Sequence, residues 1–188
     1  MPWELATGDA HLMTQYERFV DRVTSLSAHA AMLCVVLMVC HILTEIVLRN
    51  AFSKSTFVLE EFVGYATAAA AFFGLGAALR DGELIRVGLI LEFLGPKMRR
   101  LIEGTCAFLG LSTVGFLVWF LTRTVLRSWE RGTTSTSLLE TPLWIPQLLV
   151  VLGLISFGLQ MSVHLLQAIT GRLPETADLT AQLRQQDT

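Results

Sequence analysis

Two adjacent carboxylates, Glu60 and Glu61, stand at the start of a long apolar segment. Successive side chains of a helix point about 100° apart, so the two acids cannot both face lipid. One interpretation is that acids in a first helical turn are stabilised by the helix macrodipole. The other is that at least one of them pairs with a basic group on another helix or subunit. No nucleophile, metal ligand or further acid is spaced to act with them, so catalysis is disfavoured and no enzyme activity is predicted.

A second acid, Glu45, precedes Arg49 by four residues in the first apolar segment. The acid-before-base order favours an ion pair within one helix. A carboxylate that carries protons through a membrane is expected near mid-membrane, whereas Glu45 lies about one turn from the end of its segment. A structural ion pair is therefore favoured over proton coupling.

Three arginines follow the third apolar segment at steps of four: Arg123, Arg127 and Arg131. They form one basic stripe on a helix. The stripe is explained either by a favourable interaction with the helix C-terminus or by a docking surface for an acidic partner in the periplasm.

His41 and His164 lie in different apolar segments, and two such histidines could ligate a haem. With no further cofactor motif, packing histidines are favoured, and neither a cofactor nor a metal is predicted. The three cysteines all lie in apolar segments, in a spacing that suits neither a disulfide framework nor a zinc site.

The second apolar segment carries a ladder of small residues. Such ladders let helix backbones approach closely in lipid, where burial alone drives association weakly. The ladder predicts close helix packing, against a neighbour in this chain or another, at Gly64, Ala66, Ala70, Gly74 and Ala78.

The composition explains what these residues are embedded in: 53% of the 188 residues are hydrophobic and only 16% are charged. Four apolar blocks each suffice for a transmembrane helix of about 20 residues. We therefore expect an all-α integral membrane protein with spans at about residues 27–48, 57–79, 98–127 and 143–169. The first span lacks a small-residue cleavage site and is expected to be retained.

The segments between the spans predict the topology. Residues 84–95 are apolar but interrupted by charges, which indicates a short interfacial amphipathic helix between the second and third spans. Trp144 is expected to anchor the fourth span at the interface. Nine Lys and Arg residues on the side of the termini against five on the other side place residues 1–26 and 170–188 in the cytoplasm. The net charge of −2 gives no indication of nucleic-acid binding.

Short motifs occur in a recognisable order around these spans. They are Arg49-Asn50-Ala51-Phe52, Glu60-Glu61, the charged turn that begins Arg80-Asp81-Gly82-Glu83, and Pro142-Leu143-Trp144-Ile145-Pro146. In order and spacing the chain resembles, over about residues 18–169, the small membrane subunit (DctQ type) of tripartite ATP-independent periplasmic (TRAP) transporters. It departs from the family after the charged turn, where a His and an Asp are usual and no His occurs.

The resemblance implies a function. In this family a periplasmic binding protein (DctP type) delivers an organic acid to a large membrane subunit (DctM type) that holds the substrate and sodium sites. The small subunit is expected to scaffold the large one in the bacterial inner membrane, with Arg80 among its structural or interface charges and lipids around it. Two alternatives stay open: a self-sufficient proton-coupled exporter using Glu45, and a haem-bearing anchor of a respiratory enzyme.

Overall fold

The computed structural model describes residues 3–56, 58–82, 96–137 and 140–170, with side chains from residue 13 onward except at 96, 97, 99 and 100. These residues form four helices, each long and apolar enough to cross a membrane, which confirms the all-α membrane fold. The predicted interfacial helix at 84–95 and the tail after residue 170 lie outside the described residues. The helices are α1 (Trp3–Phe52), α2 (Leu59–Arg80), α3 (Pro96–Glu130) and α4 (Trp144–Thr170).

The first helix is longer than its apolar segment. It runs for 50 residues from Trp3, so it is about 75 Å long, against about 30 Å for a bilayer core. Hydropathy marks where a helix meets lipid, whereas its continuity depends on the absence of proline and turn signals. Since no proline follows Pro2 before α1 ends, the helix passes through residue 27 without a break.

Glycines in the left-handed region end α2 and α3. Gly82 has φ 75° and donates its N–H to Leu79 O at 3.3 Å, and Gly132 has φ 59° and donates to Trp129 O at 3.2 Å. A residue with a Cβ is strained in this conformation. The two glycines therefore set where the chain leaves these helices.

Helices α2 and α4 pack at the centre. A Cβ added to Gly153 of α4 would lie 2.7 Å from the carbonyl carbon of Phe72, and one added to Gly76 of α2 would lie 3.2 Å from Ser156 Oγ. The close approach within this chain is thus at Gly76 and Gly153. At Gly64 and Gly74, two members of the predicted ladder, an added Cβ would meet no described atom within 4 Å.

The outer helices flank this centre. Helix α1 packs on α2 and on α4, and α3 packs mainly on another side of α4. We call the end with the 53–58 turn and the 131–143 connection the loop end, and the end where α2 finishes and α3 begins the terminus end. The surfaces of α1 and α3 expose large apolar side chains such as Leu33, Leu37, Phe108 and Phe116, as a lipid environment requires.

Hydroxyl groups on the exposed face of α3 are satisfied within the helix. Thr105, Thr113 and Thr122 donate to the carbonyl oxygens four residues before them, at 2.7, 2.9 and 2.7 Å. Polar groups facing hydrocarbon find no water, so bonding to the helix's own backbone lets these residues occur there.

Candidate functional site

The carboxylate of Glu45 fastens the turn between α1 and α2. It is only 2% exposed. Its Oε1 accepts from Arg49 Nε at 3.0 Å and from the Ser55 hydroxyl, while its Oε2 accepts from the Thr56 backbone N–H at 3.1 Å and hydroxyl at 2.6 Å. The ion pair expected from spacing is therefore part of a larger set of bonds that reaches across the turn. A carboxylate with all these donors bound to it holds the turn in place rather than exchanging protons.

The two adjacent acids of α2 have different surroundings. Glu61 is half-buried, accepts from the Tyr65 hydroxyl at 2.8 Å, and lies beside the hydroxyls of Ser135 and Ser137 in the 131–143 connection. Glu60 is exposed and has no partner among the described residues. Glu61 thus faces the interior of the loop end and Glu60 faces outward. The sequence did not reveal that Ser135 and Ser137 lie beside Glu61, because they are more than 70 residues further along the chain.

The described residues at the two ends of the 131–143 connection are hydrogen-bonded to each other. Ser135 N–H donates to Thr141 O at 2.9 Å, and Leu143 N–H donates to Thr133 O at 3.1 Å. At its base the rings of Trp129 and Trp144 meet edge to face with centroids 4.7 Å apart. The predicted interface anchor Trp144 is thus half-buried against a second indole at the same level.

A second polar cluster, missed by sequence reasoning, joins three helices near the terminus end. The Thr24 hydroxyl donates to Gln160 Oε1 at 3.1 Å, and the Ser27 hydroxyl donates to Phe73 O at 2.9 Å. The only available sequence signal was a polar residue such as Gln160 within an apolar segment. These bonds tie α1 to both central helices.

Arg80 extends this cluster at the end of α2. Its Nη1 donates to Ser25 Oγ at 2.9 Å, and its Nε forms an ion pair with Asp81 Oδ1 at 2.8 Å. Both charges therefore have partners in this chain, and Arg80 links α2 to α1.

The two histidines lie at opposite ends of α2. His164 Nε2 is 3.3 Å from Leu79 O, whereas the His41 ring is 5.8 Å from the ring of Phe62. Seventeen residues of helix separate Phe62 from Leu79, which is about 26 Å. Two axial ligands of one haem must lie on either side of a single iron, so this pair cannot bind a haem. Within the described residues, no three His, Cys, Asp or Glu side chains are grouped to hold a metal.

Most of the predicted ladder is half-buried. Ala66, Ala70, Gly74 and Ala78 are half-buried, and Gly64 is exposed. Along an adjacent line, small residues recur at alternating steps of three and four and have Glu60 at their loop end. We call this line the small-residue face; its members are Gly64, Thr67, Ala71, Gly74 and Ala78, of which the first three are exposed and the last two half-buried.

The arginine stripe lies on the exposed side of α3. The Arg123 guanidinium stacks over the ring of Trp119, 4.5 Å from its centroid. Arg127 and Arg131 are also exposed. Among the described residues, none of the three forms an ion pair.

Comparison with known proteins gives one match. The family model for the DctQ component of tripartite ATP-independent periplasmic transporters matches residues 38–171. This stretch contains α2, α3, α4 and the loop-end part of α1, and with them the clusters around Glu45 and Glu61. No curated protein and no solved structure matches the chain.

Proposed function

Because this chain belongs to the DctQ-component family of TRAP transporters, we propose that it scaffolds the large membrane subunit during sodium-coupled uptake of organic acids. The chain is the small membrane subunit of such a transporter and a multi-pass inner membrane protein. A periplasmic binding protein of the DctP type delivers the solute, and a DctM-type subunit binds and moves it.

The observation that carries the scaffold role is a contrast between two kinds of surface. Some surfaces are hydrogen-bonded to other helices of this chain, and one helix face is left largely uncovered by it. The polar groups around Glu45 and around Gln160 bind the chain's own helices to each other, so the bundle is held at both ends. The small-residue face of α2 touches α1 at Thr67, whose hydroxyl lies 3.4 Å from Met38 Sδ, but an added Cβ at Gly64 or Gly74 meets no described atom within 4 Å. A bundle tied together at both ends, with this partly open face, fits a static support better than a moving part.

The open face suits a helix better than it suits lipid. Small residues allow two backbones to approach, and this packing is a main source of helix association in membranes. On the proposed role, a helix of the large subunit packs along the small-residue face. Glu60, exposed at the end of that face, then pairs with a basic group of the same subunit.

The orientation follows the charge bias, with the loop end in the periplasm and the termini in the cytoplasm. This orientation presents the folded 131–143 connection to the periplasmic binding protein. Arg131, the outermost member of the arginine stripe, is exposed there and is suited to contact an acidic surface on that protein.

The substrate and sodium sites belong to the large subunit on this proposal. Each of the four helices runs unbroken through its apolar stretch, whereas midplane binding sites are typically built from interrupted helices. A self-sufficient exporter would need a free coupling acid, and Glu45 is bound by Arg49, Ser55 and Thr56.

The direct test is to co-express a tagged form of this chain with the large membrane subunit. We expect the two to co-purify in detergent, and uptake into vesicles to require both together with the binding protein and a sodium gradient. Transport by the small subunit reconstituted alone would refute the scaffold role.

A further inference from the structure

The level of the bilayer is set by α2, the shortest of the four helices. Its uncharged stretch, residues 62–79, is about 27 Å long, close to the core thickness of about 30 Å. Helix α2 begins at Leu59 and ends at Arg80, so it has almost no length to spare. The hydrocarbon core must therefore coincide with residues 62–79. The depth of residues in the other helices can be measured relative to this stretch.

Contacts between the helices give the depth of Arg123. Gly153 of α4 touches Phe72, and Gly158 of α4 touches Val114 of α3 with an added-Cβ distance of 3.2 Å. Val114 is thus about 7.5 Å nearer the terminus end than Phe72. Arg123 follows Val114 by nine residues, about 13.5 Å, and so lies only about 6 Å on the loop side of Phe72.

A second estimate of the depth of Arg123, made from the loop end, agrees with the first. Trp129 and Trp144 meet with ring centroids 4.7 Å apart and mark the loop-end boundary of α3 and α4. Arg123 precedes Trp129 by six residues and lies about 9 Å deeper. Glu61 lies 11 residues before Phe72, so Arg123 is also about 10 Å deeper than Glu61. Both estimates place the Cα of Arg123 inside the hydrocarbon core.

The Arg123 side chain is directed further inward. Its guanidinium lies 4.5 Å from the ring centroid of Trp119, which is one turn nearer the membrane centre. Helical side chains lean towards the helix N-terminus, and for α3 that direction is into the membrane. Reaching outward to the headgroups would oppose this lean. Among the described residues, no carboxylate forms an ion pair with Arg123.

We propose that Arg123 pairs with a carboxylate on a membrane-embedded helix of the large subunit. A charged side chain at this depth is costly unless an opposite charge meets it. A guanidinium binds a carboxylate through two parallel hydrogen bonds. Trp119, 53% exposed, supplies a flat apolar surface beside the pair, and Trp and Arg dominate the energetics of many interfaces. A lipid phosphate would have to enter the core by about 9 Å to make the same contact.

This role of Arg123 rests on the proposed scaffold role. Of the two explanations of the arginine stripe, periplasmic docking does not extend to Arg123, which lies too deep for a periplasmic protein to reach. Arg131, eight residues further along the chain, lies about 12 Å closer to the periplasm.

The test uses the co-expressed complex of both membrane subunits. We expect R123A and R123E to reduce the co-purified large subunit at least tenfold, and R123K to retain part of it. R131A is the matched control and should leave co-purification unchanged. The membrane content of R123A expressed alone should equal that of the wild type, because removing a charge from the core does not hinder insertion. A loss of complex at normal membrane content then reports the lost partner.

A second step identifies the carboxylate. Each Asp and Glu in the apolar segments of the large subunit is changed to Arg together with R123E, and one such change should restore the complex. If the wild-type complex forms and the R123A and R123E variants form it equally well, this inference is wrong while the scaffold role stands. If R123A instead loses bound phospholipid in native mass spectrometry while the complex persists, the anion is a lipid phosphate and the inference is wrong. If the wild-type chain does not co-purify with the large subunit, both the scaffold role and this inference are wrong.

Discussion

Gly153 of α4 lies directly against the backbone of Phe72 in α2, so close that an added methyl group would be 2.7 Å from the Phe72 carbonyl carbon and 2.9 Å from its oxygen. Backbone atoms cannot move aside as the end of a flexible side chain can. The whole of α4 would have to shift to admit a Cβ. This contact fixes the distance and the register between the two central helices. It therefore also fixes the relative depth of the residues that pack on them.

The first prediction concerns this contact. Gly153→Ala should destabilise the isolated subunit by about 1–3 kcal/mol, the usual range for overpacking a close-packed site. The measurement is unfolding in detergent, followed by circular dichroism. Gly115→Ala is the control, since an added Cβ there meets nothing within 4 Å. It should be neutral or slightly stabilising because alanine favours helix. Equal stability of the two variants would contradict the close approach.

The second prediction concerns the turn between α1 and α2. Glu45→Ala removes the acceptor of the bonds from Arg49, Ser55 and Thr56. The turn should then be cleaved several-fold faster by added protease in detergent. Glu60→Ala, which removes an acid without partners among the described residues, should leave the cleavage rate unchanged. Equal cleavage of the Glu45→Ala variant and the wild type would show that the turn holds without this carboxylate.

The third prediction separates the adjacent acids of α2. Glu61→Ala should increase hydrogen–deuterium exchange in the 131–143 connection, because Glu61 lies beside Ser135 and Ser137. Glu60→Ala should leave that exchange unchanged and instead weaken co-purification with the large subunit. The reverse pattern would mean that the roles of the two acids are exchanged.

The fourth prediction concerns the small-residue face. Gly64→Leu combined with Gly74→Leu should reduce the co-purified large subunit several-fold, because a partner backbone could no longer approach. An added Cβ at either position meets no described atom within 4 Å, and circular dichroism of the double variant expressed alone checks that the longer leucine side chains leave the fold intact. Gly104→Leu serves as the matched control, because an added Cβ there likewise meets no described atom within 4 Å. An equal loss of the large subunit in the control and in the double variant would show that the small-residue face is not the site of contact.

Features that depend on a single helix were predictable from the sequence. Four apolar blocks predict four spans, and the family model confirms the resemblance that the order of the motifs indicated. Spacing within one helix also suffices to bring Glu45 and Arg49 together, and their atoms lie 3.0 Å apart. Hydropathy could not give the start of α1 at Trp3, because a helix need not end where the apolar residues end.

Features that depend on the register between helices required the tertiary structure. The sequence contains several lines of small residues on α2, and only packing decided that Gly76 rather than Gly64 or Gly74 meets α4. Packing likewise turned Glu61 towards the 131–143 connection and placed Arg123 about 9 Å below Trp129. Hydropathy and spacing describe each segment along its own axis. The relative height and rotation of two helices arise from many contacts between residues far apart in the chain. No local sequence pattern determines the combined effect of those contacts.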